Sequence, residues 1–242
     1  MSATPLDILA IAAHRDDVEQ TCGGTLLKAA QRGQRTGILD LTQGEMGTRG
    51  TAEDRAREAA EAAKILGAGW RQALDIPDGR VENTWENRLK VAGVIRETRP
   101  RVVILPYWKG RHPDHYTCSV LGYEACFLAG LAKLSLGSQP LAPHRPFKII
   151  YATLYYDVRP TFVVDISAQF EQKFDSILAY KSQFTDQEAG KDLFPAHDEI
   201  HARVDSMARY YGALGGVTYA EPFLQKEVGL VEDLMAIPVK SI

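Results

Sequence analysis

An apolar run that ends in a cluster of imidazole and carboxylate side chains constrains this chain more than any other feature. Residues 6–12 (LDILAIA) have the length and apolar content of a strand buried in a parallel sheet. His14, Asp16 and Asp17 follow at once, and Gly23-Gly24 with the periodic residues 25–30 then begin a predicted helix. In open α/β sheets this crevice is the usual ligand site. Three titratable side chains are costly to bury there unless a partner such as a divalent metal pairs them.

A second polar cluster follows another predicted strand. Residues 101–106 (RVVILP) form the clearest later strand, and they run into a loop that carries His112, Asp114 and His115. Because parallel strands end at one edge of a sheet, we expect the two clusters to share one site. Mixed imidazole and carboxylate ligands suit zinc, with Fe²⁺ as a chemically reasonable alternative. The residues that are not ligands could include a general base and an imidazole that assists an oxyanion.

Taken alone, either cluster has an ordinary structural explanation. A single histidine at a strand end is usually hydrogen-bonded in a loop, and an aspartate in such a loop is usually a helix cap. Two clusters of the same kind at corresponding strand ends favour the metal site.

The alternation of strand and helix patterns predicts an α/β fold, a single domain over residues 1–242. We expect a Rossmann-like, mostly parallel sheet flanked by helices. Two β-rich runs, 147–156 and 161–166, are close together in sequence, so they are expected to pair as an added feature of the C-terminal half. The other predicted strands are 36–41 and 73–76, and the other predicted helices are 52–66, 84–98, 116–129, 168–182 and 198–211.

Composition excludes several classes of protein. The chain has 242 residues and a formal net charge of −3, which argues against a nucleic-acid partner. No apolar run approaches the roughly 18 residues of a membrane span. Strand pattern begins within a few residues of the start, so no signal peptide is expected. Cys22, Cys118 and Cys126 are too few and too scattered for a disulfide framework or a thiolate zinc site, which favours a cytoplasmic location.

The motifs AHRDDVE, CGGT and RHPDH occur in that order along the chain. Together they resemble the PIG-L/LmbE family of zinc-dependent N-acetylglucosaminide deacetylases, whose two motifs are usually written AHPDDE and HxxH. The segments DLTQGEMGTRGTAEDRAREAAEAAKILG and TYAEPF look like the branch that deacetylates N-acetyl-α-D-glucosaminyl L-malate in bacillithiol biosynthesis. The resemblance covers residues 6–223, nearly the whole chain.

The resemblance implies a role for each residue of the two motifs. His14, Asp17 and His115 fall on the metal ligands of the family, and Asp16 falls on the general base. Neighbouring side chains point in different directions, which suits a division of roles between adjacent aspartates.

His112 and Asp114 fall on the remaining positions of the second motif. His112 matches the imidazole that stabilises the oxyanion or protonates the leaving amine. Asp114 would then hold His112 in the right tautomer.

Four further residues are candidates for contact with a substrate. Arg55 falls on a substrate-contacting arginine of the family, although a solvated charge on an alanine-rich helix face would explain it as well. Glu45 could bind sugar hydroxyls or be an ordinary exposed loop acid. Arg49 and Arg111 could bind a malate carboxylate, because a guanidinium offers bidentate geometry.

The chain departs from the family pattern in two places. Arg15 stands where the first motif usually has proline, so the turn loses a fixed φ and gains a charge near the expected metal. Residues 194–201 do not supply the tyrosine that some relatives place over the site, and His197 and His201 are the candidate polar residues that we note there.

The implied activity is hydrolysis of the N-acetyl group of N-acetyl-α-D-glucosaminyl L-malate, which releases acetate and a free amine. The same chemistry on N-acetylglucosamine, a chitooligosaccharide or a thiol-conjugate amide is the alternative. A Rossmann-like nucleotide-binding protein is a further alternative, but Cys22-Gly23-Gly24-Thr25 lacks the G-x-G-x-x-G spacing. The resemblance also implies a homo-oligomer, such as a hexamer.

Overall fold

The apolar runs of the sequence form one mostly parallel sheet of seven strands in the order β3-β2-β1-β4-β5-β7-β6. The computed structural model describes residues 5–136, 141–154, 156–184 and 197–239. The first five strands in that order run parallel, and β7 is antiparallel to both β5 and β6. The predicted α/β class is therefore confirmed. The strands are β1 (Ile8–Ala12), β2 (Thr36–Asp40), β3 (Trp70–Ala73), β4 (Val102–Pro106), β5 (Lys148–Ala152), β6 (Phe162–Asp165) and β7 (Ala220–Leu224).

Helices cover both faces of this sheet. On one face α1, α2 and α5 pack together, and on the other α3 packs against α4. No helix within the described part of the chain is both long enough and apolar enough to cross a membrane. The helices are α1 (Asp17–Gln31), α2 (Ala52–Ile65), α3 (Trp85–Thr98), α4 (Pro113–Ala129), α5 (Phe170–Leu178), α6 (Lys181–Phe184) and α7 (His197–Gly215), and a short 3₁₀ turn covers Leu234–Ala236.

The expected pairing between the two β-rich runs of the C-terminal half is wrong. Strand β7 lies between β5 and β6 and pairs with both. Its sequence AEPFL contains Glu221 and Pro222, two residue types that are depleted in strands. Glu221 is 1% exposed, and its carboxylate accepts the backbone N–H groups of Gly24 and Thr25. The contact of Glu221 with helix α1 therefore explains why a residue that is unusual in strands occurs in β7.

Two helices begin earlier than their sequence patterns indicate, and both carry site residues in their first turns. Helix α1 begins at Asp17 and is kinked at Cys22, where φ is −142° and ψ is 18°. The periodic pattern after Gly24 is only its second half. Helix α4 begins at Pro113, because proline suits the first helical position and His112 caps the helix end.

The C-terminal helical region also differs from the prediction. The expected helix 168–182 is two helices, α5 and the short α6, and α7 extends to Gly215. Residues 185–196 and Tyr155 lie outside the described residues. The segment 194–201, considered above as a cover of the site, is therefore described only from residue 197 onward. His201 lies on α7 with its ring edge-on to Phe174, at a centroid distance of 4.7 Å.

Candidate metal centre and active site

The polar residues after β1 and β4 meet at one edge of the sheet. Strands β1 and β4 are neighbours and run parallel, so their carboxyl ends lie side by side. His14 and Asp17 follow β1, and His112 and His115 follow β4. The centroids of the His14 and His115 rings are 5.2 Å apart, although 101 positions separate them in sequence. The structure thus brings the two predicted clusters together.

The donor atoms of the three predicted ligands, with both carboxylate oxygens of Asp17 taking part, have the spacing of a metal coordination shell. Nδ1 of His14 lies 3.2 Å from Nε2 of His115 and 3.4 Å from Oδ2 of Asp17. Nε2 of His115 lies 3.2 Å from Oδ1 of Asp17. In a tetrahedral zinc site with bonds of about 2.0–2.1 Å, ligand atoms are about 3.3–3.4 Å apart. The donor set and its spacing therefore fit a divalent metal.

His14 is also the common member of two other groups that could hold an ion. Among the described residues, one group is the three imidazoles of His14, His112 and His115, and the other is His14 with Asp78 and Asp114. All three arrangements place His14 at the centre. Which of its two ring nitrogens faces a metal depends on what the other nitrogen binds.

Two carboxylates occupy the Nε2 side of His14. Oδ1 of Asp78 lies 3.1 Å and Oδ2 of Asp114 lies 3.3 Å from that nitrogen. The Asp114 carboxylate also accepts the backbone N–H of Gly79 at 2.8 Å and that of Val81 at 3.2 Å. Carboxylates held in this way accept the second ring N–H of a ligating histidine in many metal sites. With its proton on Nε2, His14 turns the lone pair of Nδ1 toward Asp17 and His115.

Asp78 is a site residue that the sequence analysis did not single out. In the sequence it stands in Pro77-Asp78-Gly79, a pattern that is typical of a turn. Strand β3 ends at Ala73, on the same edge as β1 and β4, and Asp78 lies in the loop that follows. The rule that selected the other two clusters, polar residues after a parallel strand, could have selected this one.

The expected contact between the carboxylate of Asp114 and His112 does not form. The carboxylate points to His14, and it is the backbone N–H of Asp114 that donates to Nδ1 of His112, at 3.2 Å. The reason is that His112 caps helix α4 with its ring. A neutral ring that accepts at Nδ1 carries its proton on Nε2. The tautomer of His112 is thus set by the helix end, with Nε2 as a donor.

Asp16 has a strained backbone and a firmly held carboxylate. Its φ of 145° is a value that L-residues rarely adopt, and such strain is typical of functional sites. Arg55 donates to Oδ1 of Asp16 at 2.8 Å and to the carbonyl oxygen of Arg15 at 3.0 Å. Gln20 donates to the other oxygen, Oδ2, at 3.2 Å. Burial raises the pKa of Asp16 to about 7, and the positive charge of Arg55 opposes this rise.

Carboxylates surround the two histidines of the candidate centre. Burial lowers the pKa of His14, but Asp114, Asp17 and Asp78 outweigh this effect and raise it to about 12. Burial also lowers the pKa of His115, and Asp17 reverses this and raises it. His112 is the most exposed of the three histidines, and partial burial and then the charge of His14 lower its pKa. A potential that favours a proton on His14 equally favours a divalent cation.

The four predicted substrate residues occupy different depths. Arg55 is buried beneath Asp16, whereas Glu45 and Arg111 are exposed. Oε1 of Glu45 accepts the backbone N–H of Asp78 at 2.8 Å, which links the loop to the carboxylate beside His14. Arg49 is 4% exposed and donates to the carbonyl oxygen of Gln183 at 3.2 Å. Arg55 therefore supports Asp16, and Arg111 is exposed in the loop that precedes His112.

Arg15 points away from the candidate ligands. Its guanidinium donates to the carbonyl oxygen of Ala52, the first residue of α2, at 2.7 Å. The residue is 8% exposed. Arg15 thus joins the motif loop to the start of α2 rather than adding a charge beside the histidines.

The sheet and its histidine–aspartate cluster define an α/β protein with a candidate metal centre at the carboxyl ends of its parallel strands. The PIG-L family profile, described as GlcNAc-PI de-N-acetylase, matches residues 9–126. The chain is 33% identical over 225 residues to the diacetylchitobiose deacetylase of Thermococcus kodakarensis, and the match covers 88% of this chain and 80% of that protein. The chain therefore belongs to the PIG-L family.

Two solved structures extend this similarity to the whole fold. The conserved protein TT1542 from Thermus thermophilus is 43% identical with a TM-score of 0.84, and the match covers 94% of this chain and 98% of that one. The N,N'-diacetylchitobiose deacetylase from Pyrococcus horikoshii is 27% identical with a TM-score of 0.78, over 89% and 82% of the two chains.

Proposed function

We propose that this protein is a metal-dependent hydrolase that removes the acetyl group from an N-acetylglucosaminide. The observation that carries the proposal is the meeting of His14, Asp17 and His115, with donor atoms 3.2–3.4 Å apart, beside the held carboxylate of Asp16. The deacetylase relatives in the same family support this reaction.

The proposed metal ligands are Nδ1 of His14, the carboxylate of Asp17 and Nε2 of His115. The competing group of His14, Asp78 and Asp114 is less suited, because both oxygens of Asp114 accept backbone N–H groups, whereas Oδ2 of Asp17 accepts that of His14 and Oδ1 faces His115. Two imidazoles and one carboxylate suit Zn²⁺, and Fe²⁺ is the alternative metal. A bound Zn²⁺ supplies Lewis-acid polarisation of the amide carbonyl and lowers the pKa of water toward about 7.

In the proposed reaction, a water oxygen adds to the carbonyl carbon of the acetyl group, and the C–N bond of the amide breaks. Asp16 accepts the proton of the attacking water, and Arg55 and Gln20 keep its two oxygens in place. His112 carries a proton on Nε2, so it can donate to the oxyanion or to the leaving nitrogen. The products are acetate and a free amine.

We propose N-acetyl-α-D-glucosaminyl L-malate as the substrate, which would place the enzyme in bacillithiol biosynthesis. Arg111 and Lys109 support an anionic aglycone, because both are exposed in the loop that leads to His112. Arg49 is a weaker candidate for this contact, since it is buried and bonds to Gln183. The alternative is a neutral sugar such as diacetylchitobiose, on which the relatives named above act.

Acetate release from purified, metal-loaded protein tests these proposals directly. N-acetylglucosaminyl-malate, diacetylchitobiose and N-acetylglucosamine would be compared before and after chelation. We expect turnover that chelation abolishes and added Zn²⁺ or Fe²⁺ restores. Arg111→Gln should raise KM for the malate glucosaminide and leave KM for diacetylchitobiose unchanged. Turnover that survives chelation would contradict the metal role.

We also propose that the protein is a homo-oligomer, in line with the hexamer that the resemblance implies. Support comes from the segment after β7, where large apolar side chains are exposed. Val228, Leu230, Leu234 and Met235 are each more than 80% exposed. Analytical ultracentrifugation would test this, and a species with the 26.8 kDa mass of one chain would contradict it.

A cytoplasmic location is proposed on the basis of the cysteines. All three are free thiols and all three are buried, as is usual in a reducing compartment. Fractionation of the source cells would test it, and recovery of the protein from an extracytoplasmic fraction would contradict it.

A further inference from the structure

A small apolar cavity opens beside two of the proposed metal ligands, and we call it the side pocket. Asp17 and His115 line it, and so do residues of β1, β4, β5 and α1. The space open to the centre of a water-sized group is about 20 Å³. About 10–15 Å³ in this measure holds one water, so the pocket accommodates one or two atoms with their hydrogens.

Short side chains on the sheet create this space. Ala10 and Ala12 lie on the same face of β1, and Ala10 is aligned with Ile104 of β4. Ala152 lies at the end of β5. All four residues are at most 3% exposed, and Cys22 of α1 lies opposite them. An empty gap deprives the atoms around it of packing contacts, and a larger side chain at any of the three alanines would fill this one.

The groups proposed to handle protons do not line the side pocket. Its lining includes Asp17 and His115 but not Asp16, His112 or Arg111. A carbonyl carbon beside the ligands carries two substituents, the nitrogen of the sugar and the acyl chain. The exposed Lys109 also lines the pocket, so charge alone does not decide which substituent enters it. A sugar is far too large for a space of about 20 Å³, so the small apolar acyl chain is left to face the pocket.

Building on the proposed function, we propose that the side pocket receives the methyl group of the N-acetyl substituent and limits the length of the acyl chain. One methyl group fills the space, and a propionyl chain adds a methylene that meets Ile104 or Val18. One methylene in an apolar pocket is worth roughly 10–200-fold in specificity. The wild type should therefore prefer N-acetyl over N-propionyl substrates by at least about tenfold.

The test compares N-formyl, N-acetyl and N-propionyl forms of glucosaminyl-malate and of chitobiose, with release of the free acid as the readout. Ile104→Ala enlarges the pocket, so the ratio of kcat/KM for propionyl over acetyl should rise by about tenfold. Ile38→Ala is the matched control, because Ile38 is fully buried in the same core cluster but does not line the pocket. Its ratio should match the wild type.

A second variant covers the case in which Ile104→Ala does not fold. Ala152→Val fills the pocket, so activity on the acetyl substrate should fall by about tenfold relative to the formyl substrate, which has no methyl group. Both readouts are ratios within one enzyme, so a general loss of stability does not change them. Acyl ratios equal to the wild type in every folded pocket variant would overturn the pocket and leave the deacetylase standing. No hydrolysis of any acyl form by the metal-loaded wild type would overturn the proposed function and this inference with it.

Discussion

At the scale of single residues, the two adjacent aspartates differ because the backbone between them turns sharply. The φ of 145° at Asp16 lets Asp17 begin helix α1 while Asp16 turns toward Arg55. Asp17 instead faces the two histidines. Burial tends to raise the pKa of Asp17, but His115 and His14 outweigh this and lower it well below the usual range. Asp17 is therefore suited to hold a cation and Asp16 to accept a proton.

The first prediction separates these two roles. Asp16→Ala should retain bound metal and lose about 10²–10⁴-fold in kcat, because it removes a general base and no ligand. Asp17→Ala should lose the metal itself. Metal content per chain, measured by plasma mass spectrometry beside the activity, checks both. Loss of metal from the Asp16 variant would mean that the two roles are exchanged.

The second prediction concerns the carboxylates on the Nε2 side of His14. Asp78→Asn and Asp114→Asn should each weaken metal affinity by roughly 10–100-fold, because the second ring nitrogen of His14 loses a charged partner. Asp75→Asn is the control, since Asp75 is exposed and pairs with Lys90 instead. Competition with a chromogenic chelator measures the affinities. If Asp78→Asn or Asp114→Asn binds metal as tightly as Asp75→Asn, that carboxylate does not act through His14.

At the scale of elements, helix α1 joins the site to the C-terminal half of the sheet. Its second half begins at Gly23-Gly24, where the Glu221 carboxylate of β7 accepts the backbone N–H of Gly24 at 2.8 Å and Lys173 of α5 donates to Glu221 at 2.6 Å. A Cβ on Gly24 would lie 2.9 Å from Cδ1 of Ile166. The helix that carries Asp17 is thus seated closely against the end of β6.

The third prediction tests this close approach. Gly24→Ala should lower the free energy of unfolding by about 1–3 kcal/mol, because the added methyl overpacks the contact with Ile166. Gly93→Ala in α3 is the matched control, since nothing lies within 4 Å of a Cβ there. It should raise the free energy of unfolding by about 0.5–1 kcal/mol through helix propensity. Chemical denaturation measures both, and a Gly24 variant as stable as the Gly93 variant would contradict the close packing.

The elements that the sequence predicted well are those with a local cause. Strands β1 and β4 are continuous apolar runs, and α3 begins after its cap Thr84 and ends just before Pro100. The sequence did not predict strand β7, because Glu221 and Pro222 are unusual in strands and are explained only by contacts with distant segments. The start of α1 escaped because its first turn carries site residues in place of the apolar period.

At the scale of the whole molecule, the proposed metal would join two segments that are far apart in sequence. His14 and Asp17 follow β1, and His115 follows β4, so one ion would cross-link the loops after two central strands. An ion that binds only the folded chain stabilises it by mass action. Stability should therefore depend on metal occupancy as well as on the core.

The fourth prediction is that chelation lowers the melting temperature. Free metal at 100 times its Kd adds about 2.7 kcal/mol of stability, which is roughly 5–10 °C in a chain of this size. His115→Ala should melt at the same temperature with and without chelator. Differential scanning calorimetry checks both, and a wild type that melts equally with and without chelator would contradict a structural effect of the metal.

By itself the sequence determined the α/β class, the two motifs and the edge of the sheet at which they meet. These follow from apolar periodicity and from the rule that parallel strands end on one side. Only the tertiary structure decided that Asp114 binds His14 rather than His112, that Asp78 joins it, and that Arg55 lies beneath Asp16. The physical reason is that a side chain's partner depends on helix ends and crossing strands, which bring together atoms that are distant in sequence.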